Sequence, residues 1–220
     1  MIAIDGPAGS GKSTVARLLA RRLSYIYVDT GAMYRALTLK ALRKGLDLNN
    51  EEKLIELTRD TELDILNDPS GGIKVMLDGE DVTSLIRTPE LTNNVSYIAR
   101  VGGVREKMLD SQRMIGGRGD SVCEGRDMGT VVFPETKYKF YLDAEFPERA
   151  SRRYKELLGD GCKLSREEIE KDLKVRDHKD MNRDIAPLKK ADDAVYLDTT
   201  NMGIDEVVDK LTVYVNEGRG

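Results

Sequence analysis

The sequence predicts an α/β fold in which a parallel sheet, flanked by helices, carries a small antiparallel insertion. Three observations predict it. Short apolar runs alternate along the chain with segments of helical period, as strand–helix units do. A glycine-rich turn, residues 6–11, follows the first apolar run at once and leads into a helical pattern. Between residues 61 and 86 the period switches to apolar–polar alternation with hairpin-type turns, which marks an antiparallel patch. The 220 residues suit one domain with a modest insertion and allow a sizeable core.

Residues 1–4 form the first strand. Across residues 13–23, Val15, Leu18, Leu19 and Leu23 recur at helical spacing. Residues 25–28, aromatic and β-branched, form the second strand. A helix over 32–44 carries Met33, Leu37, Ala41 and Leu42, with helical spacing placing Met33 in the core, and Gly45 stops it. In the alternating stretch the apolar positions are Leu63, Ile65, Ile73, Val75, Leu77 and Val82, and Pro69-Ser70-Gly71-Gly72 and Asp78-Gly79 supply the turns. Pro89 opens a helical stretch running to about residue 114. Residues 121–123, 137–142 and 194–197 read as buried strands, each ending near an acidic residue: Glu124, Asp143 and Asp198. A charged stretch over 148–183 breaks at Gly159-Asp160-Gly161. It resumes after Ser165, whose spacing to Glu168 is that of a capping box. The last helix, residues 204–214, packs Val207, Val208 and Leu211.

Composition narrows the function. The chain carries 35 basic and 39 acidic residues, a net charge of −4, which argues against a nucleic-acid-coating role. Two cysteines make no disulfide framework, and a single histidine rules out a zinc site built on histidines. Cys123 reads as a buried strand residue, Cys162 as a free thiol and His178 as a solvated helix residue. No run approaches the ~18 apolar residues of a membrane span, and the opening residues read as a strand rather than a signal peptide. The expectation is a soluble, cytoplasmic monomer with no membrane or nucleic-acid partner.

Gly6-Pro7-Ala8-Gly9-Ser10-Gly11-Lys12-Ser13 satisfies the phosphate-loop pattern G-x-x-x-x-G-K-[ST], and Thr14 continues it into the helix. The glycines let successive backbone N–H groups turn inward as an anion nest, and the helix N-terminus adds roughly half a positive charge. In such a loop Lys12 reaches the β and γ phosphates while the Ser13 hydroxyl ligates Mg²⁺. This fixes a nucleoside triphosphate and Mg²⁺ and leaves the acceptor open: water, a small alcohol or another phosphate. A non-catalytic nucleotide switch is the alternative of another class.

The arginines bear on that choice. Arg35 follows the second strand closely, and Arg126 stands directly after a strand end, where open α/β sheets bind ligands. Arg176 and Arg183 are seven apart on one helix face, with Asp180 between them as a partner within reach of Arg176. Guanidinium forks suit phosphate oxygens, and several converging would offset repulsion between two phosphate groups. A switch needs no such acceptor site. Arg149, Arg152 and Arg153 stand in a heavily charged helix, which suits a solvated face as well as a phosphate contact. Glu124, beside the phosphate-loop strand, suits holding a water on Mg²⁺ and equally suits a structural ion pair.

The motifs IDGPAGSGKST, VDTGAMYRA, LDGEDVTSLIRTPE, VREKML, EGRDMGTVVFP, RDHKDMNRDIAPL and AVYLDTT run from Ile2 to beyond Thr199. Through them the chain resembles the bacterial-type cytidylate kinases of the nucleoside monophosphate kinase group. The resemblance implies a P-loop NTPase fold within a single domain, 1–220. Its core would be 1–30, 101–150 and 184–220, its monophosphate-binding region about 31–100 with the insertion at 61–86, and its lid about 151–183. It implies transfer of the γ-phosphoryl group of ATP to CMP or dCMP, with Mg²⁺, in pyrimidine nucleotide metabolism. It further implies Thr30, Arg35, Arg126 and Arg183 at the acceptor phosphate, Ser96, Arg105 and Asp127 at the cytosine, and Arg176 with Asp180 at the sugar. Lys12, Arg126 and Arg183 would be the catalytic cations. The chain departs from the family pattern at Gly102-Gly103, where a proline is frequent, and at Lys179, where an arginine is common.

Overall fold

The computed structural model describes residues 1–68, 72–159 and 164–218. The tip of the hairpin turn at 69–71, Asp160-Gly161 of the lid break, and Cys162 lie outside the described residues. The first half of the chain runs β1 (Ile2–Asp5), α1 (Lys12–Leu23), β2 (Ile26–Asp29), α2 (Thr30–Arg43), α3 (Glu51–Arg59), β3 (Leu63–Asn67), β4 (Ile73–Leu77) and β5 (Glu80–Asp81). It continues through α4 (Pro89–Ala99), α5 (Gly102–Gly116), β6 (Ser121–Gly125) and a π-helical turn (Met128–Val132). The remainder is β7 (Tyr138–Asp143), α6 (Phe146–Gly159), α7 (Arg166–Asn182), β8 (Val195–Asp198) and α8 (Ile204–Glu217).

The five apolar strands pair in the order β2-β6-β1-β7-β8, all parallel. β1 is central and wholly buried, which is why its residues are apolar on both faces. Its register sets Asp5 beside Gly125 on one side and Tyr141 on the other. Asp29 at the end of β2 lies opposite Glu124 of β6. The carboxyl ends of the strands therefore gather Asp5, Asp29 and Glu124 at one edge of the sheet, where the glycine-rich loop also emerges.

The insertion is a separate antiparallel sheet, β3-β4-β5, with Leu63 opposite Leu77 and Ile65 opposite Val75. Those four side chains are buried, so the alternation read from the sequence is the face turned to α2 and α5. The Tyr27 N–H donates to Asn67 Oδ1 at 2.8 Å, tying this small sheet to the outer strand of the large one.

Three elements were not legible. Residues 51–59 form α3, capped by Asn50, which accepts from the Lys53 N–H at 3.1 Å. The stretch from Pro89 is two helices, broken at Arg100-Val101. A Cβ on Gly102 or Gly103 would come within 2.9 Å of Ile185 or 2.8 Å of Ile55, so α5 starts in close packing that larger residues would disturb. The π-helical turn after β6 carries five-residue hydrogen bonds, Val132 N to Asp127 O at 3.1 Å and Phe133 N to Met128 O at 2.7 Å. The capping box at Ser165 forms as its spacing requires: the Glu168 N–H donates to Ser165 Oγ, and the Ser165 N–H to Glu168 Oε2.

Candidate active site

The chain turns from β1 through residues 6–11 into α1 with Gly9 and Gly11 at φ of +75° and +85°, left-handed values that glycine adopts freely. A Cβ at Gly9 would stand 2.6 Å from the Arg149 carbonyl oxygen, so the loop lies flush against α6. Lys12 is buried, and its Nζ donates to Pro7 O at 3.0 Å. Burial, then the nearby Arg126 charge, pushes its amine down to about 7. Ser10 is buried with its hydroxyl unpartnered among the described residues, whereas Ser13 is exposed, near enough to Glu124 to favour its charge.

Opposite this loop, the ends of β2 and β6 supply the second half of the site. Asp29 accepts from the Ala32 N–H at 2.8 Å, capping α2, and pairs with Arg35 at 3.0 Å. Thr30 Oγ1 donates to Glu124 O at 2.7 Å, and the Tyr27 hydroxyl donates to Glu124 Oε1 at 3.1 Å. Burial, then Asp29, raises the Glu124 carboxyl above its ordinary value. Arg105 and Asp127 form a buried ion pair, and Arg183 Nη2 lies 3.7 Å from Asp127 Oδ1. That Nη2 is buried and makes no hydrogen bond among the described residues. Burial and the neighbouring Arg105 lower the Arg183 guanidinium.

Arg126 Nε donates to Asp180 Oδ2 at 2.8 Å. Sequence spacing had offered Arg176 as that partner; instead Arg126 reaches the carboxylate from the end of β6. Arg176 makes no hydrogen bond or ion pair among the described residues, and burial and Arg126 push it down to about 10. Asp180 stays below its ordinary value because Arg126 and Arg176 outweigh its burial.

Ala8, Gly9, Lys12, Ser13 and Thr14 line one cleft of about 320 Å³ with Thr30, Arg35, Arg105, Arg126, Asp127, Arg176, Asp180 and Arg183. Gly6, Pro7, Ser10 and Gly11 are not among its lining residues; they carry the turn that presents it. Ser96 does not join that set. It lines an adjoining cavity of about 330 Å³ between α4 and α7, where Lys179 Nζ stands 3.4 Å from its hydroxyl.

The charged helix α6 departs from a solvated face. Arg149 is buried against Asp177 and donates to the carbonyl oxygens of Ala8 and Ala144, each at 3.0 Å. Arg152 donates to Thr199 O at 2.6 Å and approaches Ser10 O at 3.4 Å. Arg153 lines the cleft and pairs with Glu156. His178 is exposed, beside Asn182 at 3.1 Å. Sequence reasoning missed Asp5 and Asp177: the first reads as a strand end, the second as one charge among many on α7.

The family model described as cytidylate kinase matches residues 2–217. Among similar proteins, the cytidylate kinase of Anoxybacillus flavithermus (strain DSM 21510 / WK1) is 49% identical over 216 residues, covering 98% of this chain and 96% of its own. That of Desulforamulus reducens (strain ATCC BAA-1160 / DSM 100696 / MI-1) is 49% identical over 218 residues, covering 99% and 97%. A crystal structure of an uncharacterized protein from Eubacterium ventriosum ATCC 27560 matches with a TM-score of 0.51 at 11% identity, covering 98% of this chain and 97% of that one, a likeness of fold.

Proposed function

This chain belongs to the cytidylate kinase family and transfers the γ-phosphoryl group of ATP to CMP or dCMP, and from that premise we propose how its residues divide the work. One observation carries the division: a single cleft sets the phosphate-loop lysine among eight arginines, one of which, Arg183, keeps a buried N–H without a hydrogen-bond partner among the described residues. Such a surplus of desolvated donors suits two phosphate groups brought face to face. The loop residues Gly6 to Thr14 hold the triphosphate. Thr30, Arg35, Arg126 and Arg183 hold the acceptor phosphate, which shares or displaces the Asp29 and Asp180 carboxylates that occupy two of those arginines. Arg176 and Asp180 face the sugar, Arg105 and Asp127 the cytosine. Ser96 joins them from the adjoining cavity. The regions 31–100 and 151–183 act as acceptor-binding and lid segments around the core.

The acceptor is a phosphate oxygen already largely ionised near neutral pH, its second pKa being about 6, so no general base is assigned. Lys12, Arg126 and Arg183 stabilise the charge on the transferring group, and closure around the cleft excludes water that would otherwise compete as acceptor. The Ser13 hydroxyl would hold Mg²⁺ and the Glu124 carboxylate a water on it: both side chains offer oxygen donors, and Glu124 and Asp29 concentrate negative charge that a divalent cation would offset. Bound there, Mg²⁺ neutralises phosphate charge. A cytoplasmic monomer using small-molecule substrates alone completes the reading. Among the described residues no helix is long and apolar enough to cross a membrane.

Base choice tests the cytosine assignment. Cytosine offers an N4 donor to a carboxylate and acceptors to a guanidinium; uracil presents an acceptor to the same carboxylate. Wild type is expected to prefer CMP over UMP by up to ~10⁴-fold in kcat/KM. Asp127→Ala is expected to narrow that ratio from the CMP side. An unchanged ratio in the variant removes Asp127 from base recognition.

A further inference from the structure

Asp5 closes β1 with its carboxylate buried and both oxygens committed to one turn of backbone. Oδ1 accepts from the Met128 N–H and Oδ2 from the Gly129 N–H, each at 2.8 Å. These are the first two N–H groups of the π-helical turn, whose own N-cap residue is Asp127. An aspartate in that place ordinarily folds its carboxylate back onto the free N–H groups of the turn it caps. Asp127 does not: its side chain makes no capping bond and is turned to Arg105 and Arg183 in the cleft. The turn packs directly on Asp5, since a Cβ at Gly129 would meet Asp5 Oδ2 at 3.4 Å and the Lys139 stem at 3.3 Å.

We propose that Asp5 is a positioning residue for acceptor-base recognition: by capping Met128 and Gly129 in place of Asp127, it leaves the Asp127 carboxylate free to face the cleft. The proposal rests on the reading of Asp127 as a cytosine-contacting group and extends it to the residue that holds it there. Other charged groups near Asp5 fit the arrangement. Asp127 disfavours its charge and Arg126 favours it, and burial outweighs the two N–H bonds to push the carboxyl up to about 7. A carboxylate kept in so costly a place is there for its two acceptor oxygens.

Asparagine at position 5 preserves shape but sets an NH₂ donor against one of the two N–H groups. The donor left without a partner then competes for the Asp127 carboxylate. Asp5→Asn is expected to raise KM for CMP about tenfold or more, to narrow the CMP/UMP ratio of kcat/KM, and to leave KM for ATP unchanged. The double variant Asp5→Asn/Asp127→Ala is expected to be no worse toward CMP than Asp127→Ala alone, because both changes act through one carboxylate. Asp5→Glu, which displaces the carboxylate by a methylene, carries the same expectations should the asparagine variant fail to fold. Parallel losses toward ATP and CMP, independent additive effects in the double variant, or failure of both variants to fold would make Asp5 general structural support and overturn the proposal. A normal CMP/UMP ratio in Asp5→Asn, with the ratio altered in Asp127→Ala, overturns the proposal alone; no change in Asp127→Ala overturns the base-reading assignment as well.

Discussion

Lys12 shows how far a residue's chemistry depends on what surrounds it. Buried and close to Arg126, its amine titrates near 7 in the free protein. Bound phosphates restore its charge, so ATP binding above pH 7 takes up a proton, roughly one at pH 8, and affinity for ATP falls as pH rises through that range. Titration calorimetry in buffers of different ionisation enthalpy reads this uptake directly, and Lys12→Met is expected to abolish it. On the proposed mechanism the same lysine meets charge that grows during transfer, so Lys12→Ala is expected to lower kcat by ~10²-fold or more in a coupled assay with little change in Tm. Lys12 and Ser13 were legible because the phosphate loop fixes residue types at fixed spacing. Arg126 and Arg183 were legible because they stand at a strand and a helix end, and Arg35 because it follows β2 closely. Arg149 was not: the sequence around it is uniformly charged, and only the fold shows which of those charges is covered.

Among the elements, the phosphate loop, α6 and α7 are fastened by one buried cluster. Arg149 of α6 holds Asp177 of α7 and the Ala8 carbonyl, while the Ala8 N–H approaches Asp177 at 3.4 Å. Asp177→Ala leaves the buried Arg149 guanidinium with only Asp143, 3.7 Å away and partly exposed, as counter-charge, a change expected to destabilise the protein by up to ~3–5 kcal/mol in denaturant titrations. Asp177→Asn, retaining an acceptor, is expected to lose less. A loss within the range of surface ion pairs, ~0–1 kcal/mol, would show the cluster to be dispensable. Strand positions came through from the sequence because buried parallel strands are continuous apolar runs bounded by turn residues. The helix α3 did not: only Leu54, Leu57 and Thr58 of its nine residues are buried, too short a stripe to stand out. The break at Arg100-Val101 has no proline to announce it, and the π-helical turn depends on Asp5, more than a hundred residues away.

The whole molecule is acidic at −4, yet its cleft concentrates cations that lack full compensation. Filling that cleft with an anion therefore acts on global stability. At CMP concentrations 100 times Kd the fold is expected to gain ~2.7 kcal/mol, which raises Tm by roughly 5–10 °C. Arg176, desolvated and near Arg126, holds its charge at a cost; Arg176→Gln is expected to raise Tm of the free protein while shrinking the shift that CMP produces. A lower Tm in the free variant would show that Arg176 is part of the scaffold. At this scale the α/β class and the antiparallel insertion were readable from periodicity alone, whereas the convergence of Lys12, Arg35, Arg126 and Arg183 needed the sheet order. That order has one more consequence. The chain leaves the large sheet at the end of β2 and returns on β6, the strand lying directly beside it, with Asp29 and Glu124 in register. The chain between residues 30 and 120 thus leaves and rejoins the sheet at adjacent strands, and closing such an excursion depends only logarithmically on its length. Length changes confined to the small antiparallel sheet are therefore expected to leave the triphosphate cradle, built from β1 and α1, in place, whereas α2 and α5 share its buried core and are not free to change with it.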